Sequence, residues 1–538
     1  MSKKYFGVML DMSRNAVMKP AVVKKFVDYI ASFGYNMLQL YTEDTYVVKN
    51  EPYFGHLRGG YKKEEIQEID AYCKEKGVEL IPCIQTLAHL GTIFKWFEYC
   101  NIRDCADILL IDDPRTYQLI DNMFATLAEN FTTRKVHIGM DEAHMVGLGK
   151  YMDKHGICNR HELLKRHLAK VVEIAKKYGF TPMMWSDMFF RMSNEGEYYG
   201  RKVNLPREVV EGVPDVSLVY WDYYHTHKAD YHAMVDAHQK FGKEIWFAGG
   251  AWSWLGFTPA NRYTLQTMKP AMDVCRERGV DNIFFTLWGD NGKECSYFAT
   301  LPSLFYLKRY YDGVTDRKQI AKEFEVLTGE SFERMMNTDD PNYVGGNKEG
   351  YRNPSKYMVY NDPFFGWMDT QVKDGVDKQY KKLARRFALY AKESKNFGYI
   401  YDMYAKLCRL LSYKYDLGVR VREAYRVRDE KALREIVVDF KKTEKAVEAF
   451  YQAFRLLWHK ENKPHGFEVQ DIRLGGLMLR IKHCRERLES YLRGEEDSLP
   501  ELEEVLLDFW GKGLEYDKFT PSYANWGLIS TANQLNTP

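Results

Sequence analysis

Over the first 310 residues, eight short apolar runs alternate with longer amphipathic segments, and this alternation constrains the fold more than any other feature of the chain. The runs are Tyr5–Asp11, Met37–Thr42, Glu79–Gln85, Lys135–Asp141, Phe180–Asp187, Val216–Asp222, Glu244–Gly250 and Asn282–Asp290. Runs of this length, apolar nearly throughout, suit strands buried on both faces, as in a parallel sheet. Between them lie helical patterns such as Pro20–Phe33, Lys62–Lys76, Pro114–Phe131, Arg160–Tyr178, Ala229–Phe241 and Pro259–Arg278. Gly34, Gly77, Gly179, Gly242 and Gly279 follow the helices, where left-handed C-caps are expected. Eight strand–helix units predict an α/β fold, a (β/α)8 TIM barrel over residues 1–310. A doubly wound open sheet is the weaker reading, because no Gly-x-Gly-x-x-Gly turn marks a dinucleotide site.

A barrel of this kind carries its active site at the C-terminal ends of its strands. The residues expected there are Asp11 and Arg14, Glu43 and Asp44, His89, Asp141 and Glu142, Trp185 and Asp187, Trp221 with Asp222 and Tyr223, Trp252, and Trp288 with Asp290. Acids, tryptophans and a histidine gathered on one rim point to a site.

The fourth run, Lys135-Val-His-Ile-Gly-Met-Asp-Glu-Ala-His144, ends on two adjacent carboxylates. The two-residue period of a strand sends Val136, Ile138 and Met140 to one side and His137, Gly139 and Asp141 to the other. Burying a pair of acids there raises their mutual repulsion, which predicts that one keeps a proton at neutral pH, as a general acid must. On the dipeptide alone, a solvated Asp-Glu turn is the simpler reading. Asp141-Glu-Ala-His144 also spells a helicase signature, but the Gly-x4-Gly-Lys-Ser/Thr phosphate loop that such an enzyme needs is missing.

Charge and composition narrow the partners. Lys+Arg (77) nearly balance Asp+Glu (75), with no dominant basic stripe, which argues against nucleic acid or an anionic membrane surface. The aromatic share is high at 15%, with 39 Tyr and 11 Trp, and suits sugar rings stacking on indole and phenol faces as well as it suits a large core. The N-terminus lacks a signal-peptide apolar region, and no segment is long enough to span a membrane. Nine scattered cysteines without a CxxC pair fit a reducing compartment and no structural zinc, so a cytoplasmic protein is expected.

Beyond the barrel, residues 311–370 are rich in Asn, Gly, Pro and Tyr and read as an irregular connection packed on it. Residues 371–538 read as an α-helical bundle domain, with apolar spacing clearest in Ala432–Leu457 and Leu474–Leu492. The uncharged tail Phe519–Trp526 is expected to return to the barrel.

With His137-x-Gly-x-Asp141-Glu142 closing the fourth strand, the first 310 residues resemble glycoside hydrolase family 20, the β-N-acetylhexosaminidases. Leu10-Asp-Met-Ser-Arg14, Tyr41-Thr-Glu43-Asp44 and Gln85-Thr-Leu-Ala-His89 resemble the family's first, second and third strand ends, and Trp185, Trp221 and Trp288 its acetamido-pocket tryptophans. The helical C-terminal part is most similar to the branch containing bacterial and animal cytoplasmic hexosaminidases. The resemblance implies an exo-acting, retaining enzyme that releases terminal GlcNAc, with GalNAc as a second candidate, from glycans or glycopeptides, without metal or organic cofactor. Substrate-assisted catalysis is the family's known exception among glycosidases. Glu142 would then be the acid and base, Asp141 the group orienting the acetamide, and Tyr223 (or Tyr224) the hydroxyl on the acetamide oxygen. His89 and His137 would orient the carboxylates, and Arg14, Glu43, Trp252, Trp288 and Asp290 would contact the sugar. The family's arginine before the first-strand glycine is replaced by Phe6, which puts the ring-hydroxyl contacts in question. Two alternatives stand beside this: another retaining barrel glycosidase with a carboxylate nucleophile, pairing Asp141 or Glu142 with Asp187 or Asp290, and a sugar-binding protein without turnover. A homodimer is left open.

Overall fold

In the computed structural model, which describes residues 3–509, 511 and 525–535, eight parallel strands close into a barrel in sequential order. They are β1 (Phe6–Asp11), β2 (Met37–Tyr41), β3 (Glu79–Cys83), β4 (Lys135–His137), β5 (Thr181–Trp185), β6 (Ser217–Trp221), β7 (Ile245–Gly250) and β8 (Asn282–Leu287). Closure comes from β1 pairing with β8, Phe6 opposite Ile283 and Leu10 opposite Leu287. Contacts between strands that are not neighbours cross the interior: Gln39 Nε2 lies 3.6 Å from Met183 Sδ, and the rings of Trp185 and Phe284 are 6.0 Å apart. The barrel is thus a filled core with a rim rather than a pore.

The surrounding helices form where the pattern placed them. Pro20 opens the helix Pro20–Phe33 with its ring pre-set for the first turn, and Val23, Phe26, Val27, Ile30 and Phe33 make its buried stripe. All five expected cap glycines have positive φ, between 61° and 91°. Phe6 starts β1, five residues before Asp11, and its ring packs among Tyr35, Phe285 and Tyr311. In this chain that position serves packing.

One expectation for β4 fails. Strand geometry ends at His137, and Gly139, Met140 and Glu142 take φ of 72°, 74° and 50°. The side-to-side alternation drawn through Asp141 therefore stops at His137, because left-handed residues turn the chain away from the sheet plane.

Two compact units share the chain without a single cut point. The first comprises residues 1–251, 264–288 and 304–315; the second comprises 252–263, 289–303 and 316–538. Within the second, the helices Glu430–Glu461 and Phe467–Leu492 bury a stripe that includes Leu433, Phe440, Phe450, Phe454, Leu474 and Ile481. The expected irregular connection at 311–370 instead carries the helices Arg317–Thr328, Phe332–Met336 and Pro354–Tyr360. Its Asn and Gly residues mark the turns between them. Of the tail, residues 519–524 lie outside the described residues, while the Trp526 amide donates to Asn291 Oδ1 at 3.1 Å within the second unit. Among the described residues no helix is long and apolar enough to cross a membrane.

Candidate active site

The loops after β1 to β5 bring their polar residues into one chain of contacts. Arg14 Nη1 lies 2.7 Å from Glu43 Oε1, with Asp11 behind it at 3.8 Å. The Tyr41 hydroxyl donates to the same Glu43 oxygen (2.9 Å) and accepts from Gln85 Nε2 (2.9 Å). Gln85 Nε2 also donates to Asp141 Oδ1 at 2.7 Å, while its Oε1 accepts the Met140 amide at 3.1 Å. One glutamine side chain therefore holds both the backbone and the carboxylate of the acid loop. Gly139 makes room for it: a Cβ there would lie 2.1 Å from Gln85 Oε1.

His89 stands between the two acids. Its Nε2 is 3.3 Å from Asp141 Oδ2 and 3.7 Å from Glu142 Oε2, and its Nδ1 faces Asp107 at 3.9 Å. Burial works against the imidazolium, but the charge of the adjacent Asp141, with Glu43 beyond, pushes its pKa up to about 10. Burial likewise works against the Asp141 carboxylate, yet His89 and the Gln85 amide outweigh it and hold the group below its ordinary value. The carboxyl raised by burial and by the charge of Asp141 is Asp187, to about 7. Asp141 thus stays ionised, and a third acid, Asp187, is the one whose hold on a proton is strengthened.

Asp187 is fully buried. It accepts the Glu142 amide on Oδ2 at 3.1 Å and Arg191 Nε on the same oxygen at 3.1 Å. The Glu142 side chain is 41% exposed against 11% for Asp141. Two neighbouring acids are therefore distinguished by environment: one caged and ionised, the other open to a ligand.

The aromatic residues form a second, connected group. Trp185 and Trp288 lie 6.1 Å apart, Trp288 Nε1 donates to the Tyr223 hydroxyl at 3.0 Å, and Tyr223 stacks on Trp221 at 5.4 Å. Tyr41 meets Trp288 edge-on at 4.8 Å, which joins this wall to the acid chain. Tyr223 is buried and Tyr224 exposed, so Tyr223 is the tyrosine that belongs to the wall. The indole Nε1 of Trp185 has no hydrogen-bond partner among the described residues.

His137 does not do what the sequence suggested. Its Nδ1 accepts the Gly139 amide at 3.1 Å, its ring packs on Trp185 at 4.3 Å, and burial pushes its pKa down to about 3. It forms no hydrogen bond to either carboxylate among the described residues, and it shapes the turn instead. Trp252 and Asp290 fall in the second unit, where Trp252 is buried against Trp254 at 4.3 Å and Asp290 is exposed. Tyr41, Gln85 and Arg191 escaped the sequence reading. Tyr41 and Gln85 stand at strand ends, and Arg191 is one helical turn beyond Asp187, which are the signals that mark them.

Residues 4–205 match the family model described as the catalytic domain of glycosyl hydrolase family 20, and residues 330–520 match that of the Glycoside Hydrolase 20C C-terminal domain. The chain belongs to glycoside hydrolase family 20. The catalytic match includes Arg14, Glu43, His89, Asp141, Glu142 and Trp185. Among curated relatives, a beta-hexosaminidase of Akkermansia muciniphila is 25% identical over 233 residues, 36% of this chain and 45% of the relative. Human hexosaminidase D is 25% identical over 264 residues, 45% of this chain and 50% of that protein. The chain thus spans about half the length of these relatives. A Flavobacterium johnsoniae chitobiase structure is similar at 16% identity and a TM-score of 0.47, over 84% of this chain and 78% of that one.

Proposed function

We propose that this family 20 member is an exo-acting, retaining β-N-acetylhexosaminidase that releases terminal GlcNAc, or its galacto epimer, by substrate-assisted catalysis. The observation that carries the reading is the division between the two acids: His89 and Gln85 keep Asp141 ionised in a cage, while Glu142 faces outward. In the first step the substrate's acetamide oxygen attacks the anomeric carbon, and Glu142 gives its proton to the departing oxygen. An oxazolinium forms and the aglycone leaves as an alcohol. Asp141 accepts the acetamide N–H and offsets the developing positive charge. Tyr223, whose burial keeps its hydroxyl protonated, donates to the acetamide oxygen between Trp185, Trp221 and Trp288. Glu142 then takes a proton from water as it opens the oxazolinium, which restores the configuration. A cytoplasmic setting fits the nine cysteines, all free.

The carboxylate-nucleophile reading loses one of its partners, because Asp187 is buried and its Oδ2 already bonds the Glu142 amide and Arg191. Aryl glycosides test the proposal. Glu142→Gln should lower kcat on aryl β-GlcNAc by about 10²–10⁴-fold. Asp141→Asn should lower it by about 10²–10³-fold. A 2-hydroxy glucoside should be a poor substrate. Equal turnover of the glucoside, or full activity of Glu142→Gln, would overturn the assignment.

A further inference from the structure

The catalytic scheme above leaves Arg191 without a task, yet it is one of the most constrained side chains near the acids. Its Nε donates to Asp187 Oδ2 at 3.1 Å and its Nη1 to the Gly196 carbonyl at 3.0 Å. The guanidinium carbon lies 5.8 Å from each of the Tyr198 and Trp221 ring centres. So held, it places Nη2 3.7 Å from Glu142 Oε1. Asp187 and Arg191 sit one turn apart on the helix Asp187–Arg191, which starts two residues after β5, so both are fixed to the barrel.

Glu142 needs such support. A non-glycine residue at φ 50° is strained, and its conformation persists only if its surroundings enforce it. Its amide is bound by Asp187 Oδ2 at 3.1 Å, and its carbonyl accepts the His144 amide at 2.6 Å. Main chain and carboxylate of the acid are thus addressed by two side chains that are themselves bonded together.

We infer that Asp187 and Arg191 are positioning residues for the acid–base carboxylate: Asp187 locks the strained backbone of Glu142, and Arg191 aims its carboxylate. The inference rests on the proposed role of Glu142. The charged groups facing that carboxylate are His89 from the loop after β3, Asp141 and His144 from its own loop, and Asp187 and Arg191 from the helix after β5. Arg191 is the one whose removal subtracts a positive charge while leaving the Asp141–His89 cage intact. Without it, the carboxylate loses the partner that orients it toward the departing and incoming oxygens. A group that must give and take a proton in each turnover then works less well.

The test is aryl β-GlcNAc hydrolysis by Arg191→Gln, Arg191→Lys and Asp187→Ala, with kcat and KM read separately. For Arg191→Gln, kcat should fall about tenfold or more, with KM changed little. Arg191→Lys should recover part of kcat, because it keeps the charge without the fork. Asp187→Ala should lower kcat without moving KM. A wild-type kcat in Arg191→Gln would overturn the inference, as would a loss confined to KM or thermal stability. A second readout does not need turnover. In ¹³C-carboxyl glutamate spectra, the signal missing from Glu142→Gln should change position in Arg191→Gln, because the guanidinium beside it is gone. An unchanged signal would defeat the inference. A changed signal in a protein that hydrolyses no hexosaminide would defeat the proposed activity instead.

Discussion

A Cβ at position 139 would fall 2.1 Å from the Gln85 oxygen that accepts the Met140 amide, and the backbone there has φ 72°. Gly139→Ala must therefore both strain the turn and push aside the side chain that bonds Asp141. We expect it to cost about 1–3 kcal/mol of stability and to lower kcat along with it, as read by urea denaturation and by aryl-glycoside turnover. The His89 charge gives a second expectation at this scale. Its folded-state pKa of about 10 lies above the ordinary 6.5, so the native state holds the extra proton between those values. The stabilisation is complete below about pH 6.5 and is lost as pH rises through about 10. Denaturant midpoints should decline across that window, and His89→Gln should remove this decline. A flat wild-type profile would contradict the Asp141–His89 pair. At this scale the sequence was informative about residue types at strand ends, and Asp141, Glu142, His89 and Glu43 do meet. It was silent on Gln85 and Arg191, because their roles depend on cross-loop contacts that no local pattern encodes. It did not point to Asp187 as an acid with a strengthened hold on its proton, nor to the turn contact of His137, because both depend on depth of burial.

Elements were more legible than contacts. Helix limits such as Pro20–Phe33 follow from proline at the start, glycine at the end and an apolar stripe between, all local in sequence. The β4 end was misread because Ile138 and Met140 are as apolar as strand residues, while the left-handed turn that displaces them is imposed by Gly139 and by the bond from Gln85. Position 77 provides the contrast. Gly77 has φ 73°, nearly that of Gly139, but a Cβ there would meet nothing within 4 Å. Gly77→Ala should cost only the backbone term, about 1–2 kcal/mol, seen as a lowered Tm with kcat unchanged. If kcat fell equally in both variants, left-handed geometry alone would explain the Gly139 effect.

For the whole molecule, the eight-unit alternation correctly framed a closed barrel with a helical C-terminal part. The partition between units was not readable, because it depends on where two loops pack. Residues 252–263 and 289–303 follow β7 and β8 in the chain, yet they pack with the helices of the second unit. Phe257 lies against Phe450 at 5.0 Å, Asn261 Nδ2 donates to the Met335 carbonyl at 3.3 Å, and Ser296 Oγ donates to Glu461 at 2.6 Å. The buried Glu294 is bonded by Lys356 at 2.7 Å and by Arg473 at 3.3 Å. The gene therefore offers no clean seam for recombination. A fragment stopped at residue 310 would keep every strand yet strand Phe257 and Glu294 without their cover, and should be recovered from expression as aggregate. The barrel and its helices have to be inherited, expressed and engineered as one piece.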